Sequence, residues 1–372
     1  MRDMRVVYFT KTSEVGPASR YRVYQFLPWL QQAGISYSIR PLFGSTYFSL
    51  LEIRPQIIST IARALYAAVR GIQRLWDLAT MGKPDLIVVE GQLLPYCPSW
   101  IERILARRGH RLAVEFDDAI YLTRFHEKKM PQLLKISTAA IVGNRTLAKY
   151  AQRFTSSVRV IPTVVDTERF VPLQASTVAL PGETVNAVTI VWIGLAYNFS
   201  YLDALIPAIR HMQQQFNARF RVISSRAPIL PGVDVEFIPW DLQSEVTRLQ
   251  ECQIGVMPLP DNEWAKGKCG LKLLQYMSLG MASVASPIGV NQDIIQDGVN
   301  GFLAATEHEW YDRLLRLCEN PQLRERVGRE ARQTVVDRYS LDVWAPRLIA
   351  CYRSLSDMTP ARPPATTSPK AA

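Results

Sequence analysis

Cysteine and histidine are scarce in this sequence. Five cysteines (Cys97, Cys252, Cys269, Cys318, Cys351) and four histidines stand among 372 residues. No CxxC pair occurs and no His/Cys spacing suits a metal, so neither a disulfide framework nor a zinc site is expected, and a reducing cytoplasm is the simplest compartment. Long uncharged apolar runs are missing as well. The best candidate, 57–78, is broken by Arg63, Arg70 and Arg74, which argues against a spanning helix. The start, "MRDMRVVYFT", enters a strand at once and lacks the parts of a signal peptide. There is no recognised nucleic-acid module and no basic patch interleaved with aromatics, so nucleic acid is not an expected partner.

What is present is an ordinary globular composition with a basic excess. Apolar residues make up 48% and charged residues 20%, and the net charge of +10 favours an anionic partner: a nucleotide phosphate or an acidic membrane surface. The length exceeds what one hydrophobic core usually supports, so about two domains are expected. The polar, Pro-rich end after Leu355 reads as a disordered tail.

Apolar β-branched runs alternate with helical stretches. Strands are expected at 5–9, 37–42, 85–90, 111–118, 139–144 and 158–166, with helices at 21–34, 98–108, near 129–137 and at 145–153 between them. After a loop holding Pro172, Pro181 and Gly182 the pattern restarts: strands at 187–194, 219–225, 233–240, 253–259 and 282–286, helices at 201–215, 241–250 and 271–279, and a helical run to about 355. Strands this apolar, each followed by a helix, describe parallel sheets covered on both faces. The expected fold is α/β, two doubly wound Rossmann-like domains facing a cleft: 1–175 and 176–340, a helix over 341–355 crossing back to the first domain, and a disordered 356–372. Ligands of such sheets bind beyond the carboxyl ends of the strands, where the strand order reverses.

The stretch "GKCGLKLLQYMSLGMASVASPIGVNQDII" (267–295) follows the strand 253–259 and therefore starts at such an end. A helix N-terminus flanked by Lys266, Lys268 and Lys272 suits a phosphate, and Gly267 and Gly270 permit close backbone approach. A second strand-to-helix loop follows, with Gly289 and, early in the next helix, Asp293. A solvated loop with surface lysines is the plainer alternative. In the first half, "TSEVGPASRYRVYQF" (12–26) fills the first strand-to-helix loop, with Gly16 for a tight turn and Arg20 and Arg22 as phosphate ligands or as solvated arginines. Asp117 and Asp118 close a strand; two carboxylates there could bind acceptor hydroxyls, assist proton removal or cap the next helix. Glu90 and His126 are weaker candidates.

The block 273–303, "LLQYMSLGMASVASPIGVNQDIIQDGVNGFL", resembles the group-one (family four) retaining glycosyltransferases with the GT-B fold, whose pattern is a glutamate, seven residues, then "EAMA.G.PVVAS..GG..E". The segments 141–172 and "IVWIG" (190–194) are similar to the end of that family's first domain and the first strand of its nucleotide-binding domain. The resemblance implies a nucleoside-diphosphate-sugar donor, retention at the anomeric carbon, a glycan or lipid-linked acceptor, no metal and no cofactor. It implies that Gly16 and Arg20 face the donor diphosphate or the acceptor, that Gly194 closes the first strand of the donor domain, and that Gln275 stands where a glutamate binds the ribose. Asp293 stands for the terminal glutamate, and Val290 for one of the paired glycines. Gly267 stands where the first glutamate is expected. The loop after "WIG" lacks the arginine and lysine of many relatives, and Lys268 and Lys272 are expected to supply that charge. Asp118, with Asp117, is expected on the acceptor side. Domain closure about 170–185 and 340–350 would exclude water. A catalytically silent nucleotide-sugar-binding protein, or an epimerase or phosphorylase of the same fold, are the alternatives.

Residues 53–78 form a basic helical stretch. Ile57, Ile61, Leu65, Ile72, Leu75 and Trp76 follow helical spacing, while Arg63, Arg70 and Arg74 share a face. That face suits either an anionic bilayer or water, and peripheral contact with the inner face of the cytoplasmic membrane is expected.

Overall fold

A computed structural model describes residues 4–53, 55–95, 97–173 and 188–361. The expected boundary at 175/176 and most of the expected tail lie outside the described residues. The chain divides into two compact units: Met1–Pro162 with Trp344–Ala372, and Thr163–Val343.

The first unit is built on β1 (Met4–Phe9), β2 (Ile35–Ile39), β3 (Leu86–Glu90), β4 (Leu112–Phe116), β5 (Ala139–Val142) and β6 (Val158–Val160). All neighbours are parallel, in the order β2-β1-β3-β4-β5-β6. Its helices are α1 (Pro17–Arg22), α2 (Leu27–Gln32), α3 (Ser45–Glu52), α4 (Gln56–Thr80), α5 (Trp100–Arg107), α6 (Lys129–Ile136) and α7 (Arg145–Ala151). Strands β3, β4 and β5 are buried at every residue, as a sheet covered on both faces requires. Val7, Phe9, Ile87 and Val89 pack with Met81, Ile101 and Leu105 on one face.

The second unit repeats the plan with β7 (Thr189–Ile193), α8 (Ile206–Phe216), β8 (Arg219–Ser224), β9 (Val235–Pro239), α9 (Glu245–Gln250), β10 (Ile254–Met257), α10 (Glu263–Lys266), α11 (Leu271–Ser278), β11 (Ala282–Ala285), α12 (Asn291–Ile294), β12 (Phe302–Leu303), α13 (Glu307–Glu319) and α14 (Pro321–Tyr339). Its sheet is also parallel, ordered β12-β11-β10-β7-β8-β9. The last helix, α15 (Leu341–Asp357), belongs to the first unit from Trp344 onward, where Tyr352 lies buried with its ring 6.1 Å from Tyr8. Each unit is a Rossmann-like α/β domain. The strand order reverses at β1/β3 in the first and at β7/β10 in the second.

Several elements differ from expectation for identifiable reasons. The helix expected over 21–34 starts four residues earlier, with Pro17 in its first turn, and breaks after Arg22 into a 3-10 turn, Tyr24–Phe26, before α2. Pro28 has no N–H for the carbonyl of Tyr24, so one continuous helix cannot form. The strand expected at 37–42 is Ile35–Ile39. The helix expected at 201–215 begins as a 3-10 segment, Ala196–Leu205, and becomes α-helical only around Pro207. The chain after Leu355 stays helical to Asp357.

The largest correction concerns α4. Arg70 and Arg74 do not face solvent or a bilayer. Arg70 donates to the carbonyls of Pro41 and Leu42 at 2.6 Å, and the buried Arg74 donates to those of Arg40 and Thr10. Arg40 pairs with Asp77 of the same helix. These carbonyls lie just beyond the ends of β1 and β2, that of Thr10 accepting from the Leu42 N–H as well, and their capture by the guanidinium groups turns the polar side of α4 inward. Among the described residues, no helix is long and apolar enough to cross a membrane.

At the β7/β10 reversal the ladder is short, pairing only Ile190 with Ile254 and Val191 with Gly255. Beyond it the buried Tyr276 of α11 fills the gap. Its hydroxyl accepts from the Ile193 N–H at 3.0 Å and donates to the Val256 carbonyl at 3.5 Å. Gly255 makes room for the ring: a Cβ there would come within 2.3 Å of it. Replacing Tyr276 with Phe strands a buried N–H, and is expected to cost about 1–3 kcal/mol in a denaturant titration, with the denaturant slope unchanged.

Candidate functional site

In the second unit, the carboxyl ends of β10 and β11 carry two loops, beside the end of β7. The first runs from β10 through α10 to α11. Asn262 caps α10 by accepting from the Ala265 N–H, and Gly267 ends it. Gly270, at φ +73°, then turns the chain into α11; its αL conformation strains any residue with a Cβ, and a Cβ would also come 2.6 Å from Ile294. The second loop, after β11, folds back onto the first. Gly289, at φ +56°, leaves room for the Lys266 carbonyl, which a Cβ would meet at 2.7 Å. Asn291 anchors this turn by donating to the Ser286 carbonyl, and Ser286 Oγ accepts from the Leu259 N–H. The buried Asn291 Oδ1 makes no hydrogen bond and lies 3.9 Å from the position of a Gly270 Cβ. The two loops are thus locked together around the start of α11.

Lys272, in the first turn of α11, stretches across the end of β7. Its Cε would be 2.6 Å from a Cβ on Gly194, and its ammonium stands 5.3 Å from the centre of the buried Trp192 ring. A Cβ on Gly194 would also come 2.7 Å from the buried Trp192 ring, and the Gly194 carbonyl accepts from Ser224 Oγ. Lys268 holds its ammonium 5.1 Å over the Trp264 ring. Lys266 pairs with Asp261 and Glu263, so its charge is compensated locally. Gln275 is buried one turn further along α11, and Asp293 is exposed on α12. The structure brings together Gly194, Gly270, Lys272 and Gly289. Trp192 near the end of β7, Ser286 just after β11 and Asn291 at the start of α12 complete this arrangement without a sequence signal of their own.

In the first unit, the loop after β1 makes a compact polar cluster. A Cβ on Gly16 would collide with Thr12 Oγ1 at 1.9 Å. Thr12 and Ser19 share a hydrogen bond of 2.8 Å, and Ser19 Oγ donates at 2.6 Å to Glu90 Oε2, which also accepts from the Lys11 N–H. Neither arginine of this loop is solvated. Arg20 is buried and donates to the carbonyls of Glu14 and Val15, while Arg22 makes a buried ion pair with Glu115 at 2.6 Å.

Asp117 and Asp118 follow β4 and are half-buried. His126 is held by Gln92 at Nε2 and by Thr123 at Nδ1, and the Thr123 hydroxyl donates to the Ile120 carbonyl. Burial, with the charges of Lys11 and Lys129, keeps the His126 imidazole below its usual value and so neutral at pH 7. Glu90 is perturbed more strongly. Its burial pushes the carboxyl up to about 7, against the hydrogen bonds from Ser19 and Lys11, with repulsion from Asp117 adding to the rise. Thr12 and Ser19 gave no signal in the sequence; their role depends on a fold that brings residues 19 and 90 together.

The comparisons with known proteins bear on the second unit most directly. Residues 187–320 match the family model for glycosyl transferases of group 1. No curated protein matches the sequence. Among solved structures, a sucrose-phosphate synthase from Thermosynechococcus elongatus is 14% identical, with a TM-score of 0.66 over 95% of this chain and 99% of that one. A glycosyltransferase from Rickettsia africae is 10% identical, with a TM-score of 0.68 over 96% and 100%. HepE from Anabaena, solved with UDP and glucose, is 14% identical, with a TM-score of 0.61 over 95% and 100%. The resemblance to group 1 glycosyltransferases read at 273–303 is therefore matched over residues 187–320, and the fold of the chain is GT-B.

The state of Glu90 can be tested by pH. The folded chain keeps this proton up to about pH 7, whereas the unfolded chain releases it near the ordinary carboxylate value. Its contribution is thus fully present below that ordinary value and is lost as pH rises through about 7, amounting to about 3 kcal/mol at most. Unfolding midpoints measured from about pH 5 to about pH 8 should fall more for the native chain than for Glu90→Gln, which keeps both acceptor contacts.

Proposed function

We propose that the protein is a glycosyltransferase moving a sugar from a nucleoside-diphosphate sugar to a lipid-linked or polysaccharide-precursor acceptor, with retention of anomeric configuration. The observation that carries this reading is Lys272. It leads from the first turn of α11 across Gly194 to the end of β7, at the strand-order reversal where a parallel sheet offers its ligand site. The family match over 187–320 supports a sugar-nucleotide donor in this unit. The Anabaena neighbour solved with UDP and glucose is in accord with it.

In this reading the first-turn amides of α11 and the ammonium groups of Lys272 and Lys268 receive the diphosphate. As the bond from the anomeric carbon to the diphosphate oxygen breaks, the negative charge grows on that oxygen, where positioned donors stabilise it. Gly270 and Gly289 let the backbone approach the sugar nucleotide, and the Gln275 amide offers a donor and an acceptor for the ribose diol. Asp293 stands at the sugar end. Asp118, assisted by Asp117, orients the acceptor hydroxyl, whose oxygen bonds to the anomeric carbon as its proton passes to the Asp118 carboxylate. The reading needs neither a metal nor a cofactor, and it places the reaction on the cytoplasmic side, where acceptors are extended. Gly267, where relatives place a glutamate, favours a second reading: a protein that binds the sugar nucleotide without turning it over.

Calorimetric titration with UDP, GDP and ADP, then with their sugar conjugates, is expected to select one nucleotide and to show slow hydrolysis of one sugar conjugate. Lys272→Ala is expected to weaken that nucleotide by roughly tenfold or more. Asp118→Ala should leave nucleotide affinity unchanged and lower transfer. Unchanged affinity in Lys272→Ala sinks the phosphate assignment, and binding without any hydrolysis favours the silent protein.

A further inference from the structure

Helix α4 is amphipathic in the inverted sense. Its inner side is fixed by Arg70, Arg74 and Asp77 to the ends of β1 and β2. Its outer side carries Ile57, Ile58, Ile61, Leu65, Val69, Ile72, Leu75 and Trp76, with exposures from 46% at Leu75 to 73% at Ile57. These side chains recur at three- and four-residue intervals along ~28 Å of helix. None of the exposed positions of α4 from 57 to 80 is charged. In the same unit α5, whose Leu105 and Ile101 share a buried cluster with Leu78 of α4, exposes Trp100 and Ile104. Arg107 and Arg108 lie exposed at the end of α5. A folded domain does not ordinarily leave so long an aliphatic face in water.

We propose that this outer face of α4 is the surface by which the protein docks on an anionic lipid bilayer. The charge of the chain selects this occupant. Residues 1–162 hold 23 of the 43 Lys and Arg but only 11 of the 33 Asp and Glu, a net +12 (23 − 11), and the remaining residues carry 20 and 22, a net −2. The basic excess of the protein therefore resides in the unit that bears the face. A second copy docked on the same face would bring two such units together against their repulsion, whereas anionic headgroups neutralise them. The face is uncharged along its centre, carries a tryptophan toward one end and has arginines nearby. A helix of this kind lies in the interface plane with its apolar side among the acyl chains. Arg63 stays half-buried at the flank, but Arg70 and Arg74 take no part, because their guanidinium groups bind backbone carbonyls.

The test is flotation of the full chain with vesicles of phosphatidylglycerol and phosphatidylcholine in equal parts, and with phosphatidylcholine alone. The native chain is expected to float with the anionic vesicles and to bind the neutral ones at least about tenfold more weakly. The variant carrying Ile61→Ser, Leu65→Ser and Ile72→Ser is expected to lose at least about tenfold in anionic-vesicle partition, with its unfolding midpoint and nucleotide affinity unchanged. Brominated acyl chains should quench the native chain more than Trp76→Phe. Partition equal in the triple variant and the native chain, or quenching equal in the native chain and Trp76→Phe, overturns the proposal. So does a native chain that stays off vesicles and sediments as a dimer that the triple variant dissociates. Because the readout is partition and not transfer, failure here leaves the donor assignment standing, and failure of the donor assignment leaves this surface standing.

Discussion

The second unit depends on one phenol. Across the strand-order reversal of the first unit, β1 and β3 pair at four positions up to Phe9, but in the second unit the ladder at the reversal stops short of the strand ends. In this protein β7 and β10 pair at only two positions, and the Tyr276 hydroxyl bridges the Ile193 N–H and the Val256 carbonyl beyond them. Burial raises the Tyr276 pKa well beyond the reach of physiological pH, so the bridge stays a neutral donor and acceptor. The same residue fixes α11 against the sheet. That sets where Gly270 begins the helix and where Lys272 can reach, so the candidate site follows from a packing requirement of the core.

The chemistry of the two units is divided in a corresponding way. The second presents cations and positive helix-end dipoles over glycines. The first presents carboxylates, a neutral histidine and hydroxyls after β1, β3 and β4. Glu90 is the most perturbed of these groups, and its partners Ser19 and Lys11 arrive from a different strand-to-helix loop. A buried carboxyl that keeps its proton to about pH 7 is the kind of group that clusters at functional sites.

Much of the architecture was legible because continuous apolar strands and helical periodicity are local properties. The glycines of the site were legible for the same reason: Gly270 and Gly289 mark turns at positions where a Cβ is excluded. What escaped is tertiary. Pro28 broke a helix whose apolar spacing looked continuous. Arg20 and Arg22 read as solvated arginines or phosphate ligands, yet the fold buries both and gives them loop carbonyls and Glu115 as partners. On α4 the spacing correctly separated an arginine side from an aliphatic side, but spacing cannot say which side faces in. Carbonyls at Thr10, Arg40, Pro41 and Leu42, distant in sequence, decided it.

The central claim is that a diphosphate binds at the start of α11, between the loops that carry Gly270 and Gly289. Hydrogen exchange of the backbone amides, with and without UDP, GDP and ADP in turn, tests it most directly. First-turn amides point off the end of a helix and exchange readily until an anion accepts from them. Slowed exchange in the peptides spanning 270–274 and 288–291, lost in Lys272→Ala, is the predicted result. Protection confined to other segments, with these two unchanged, would contradict the account.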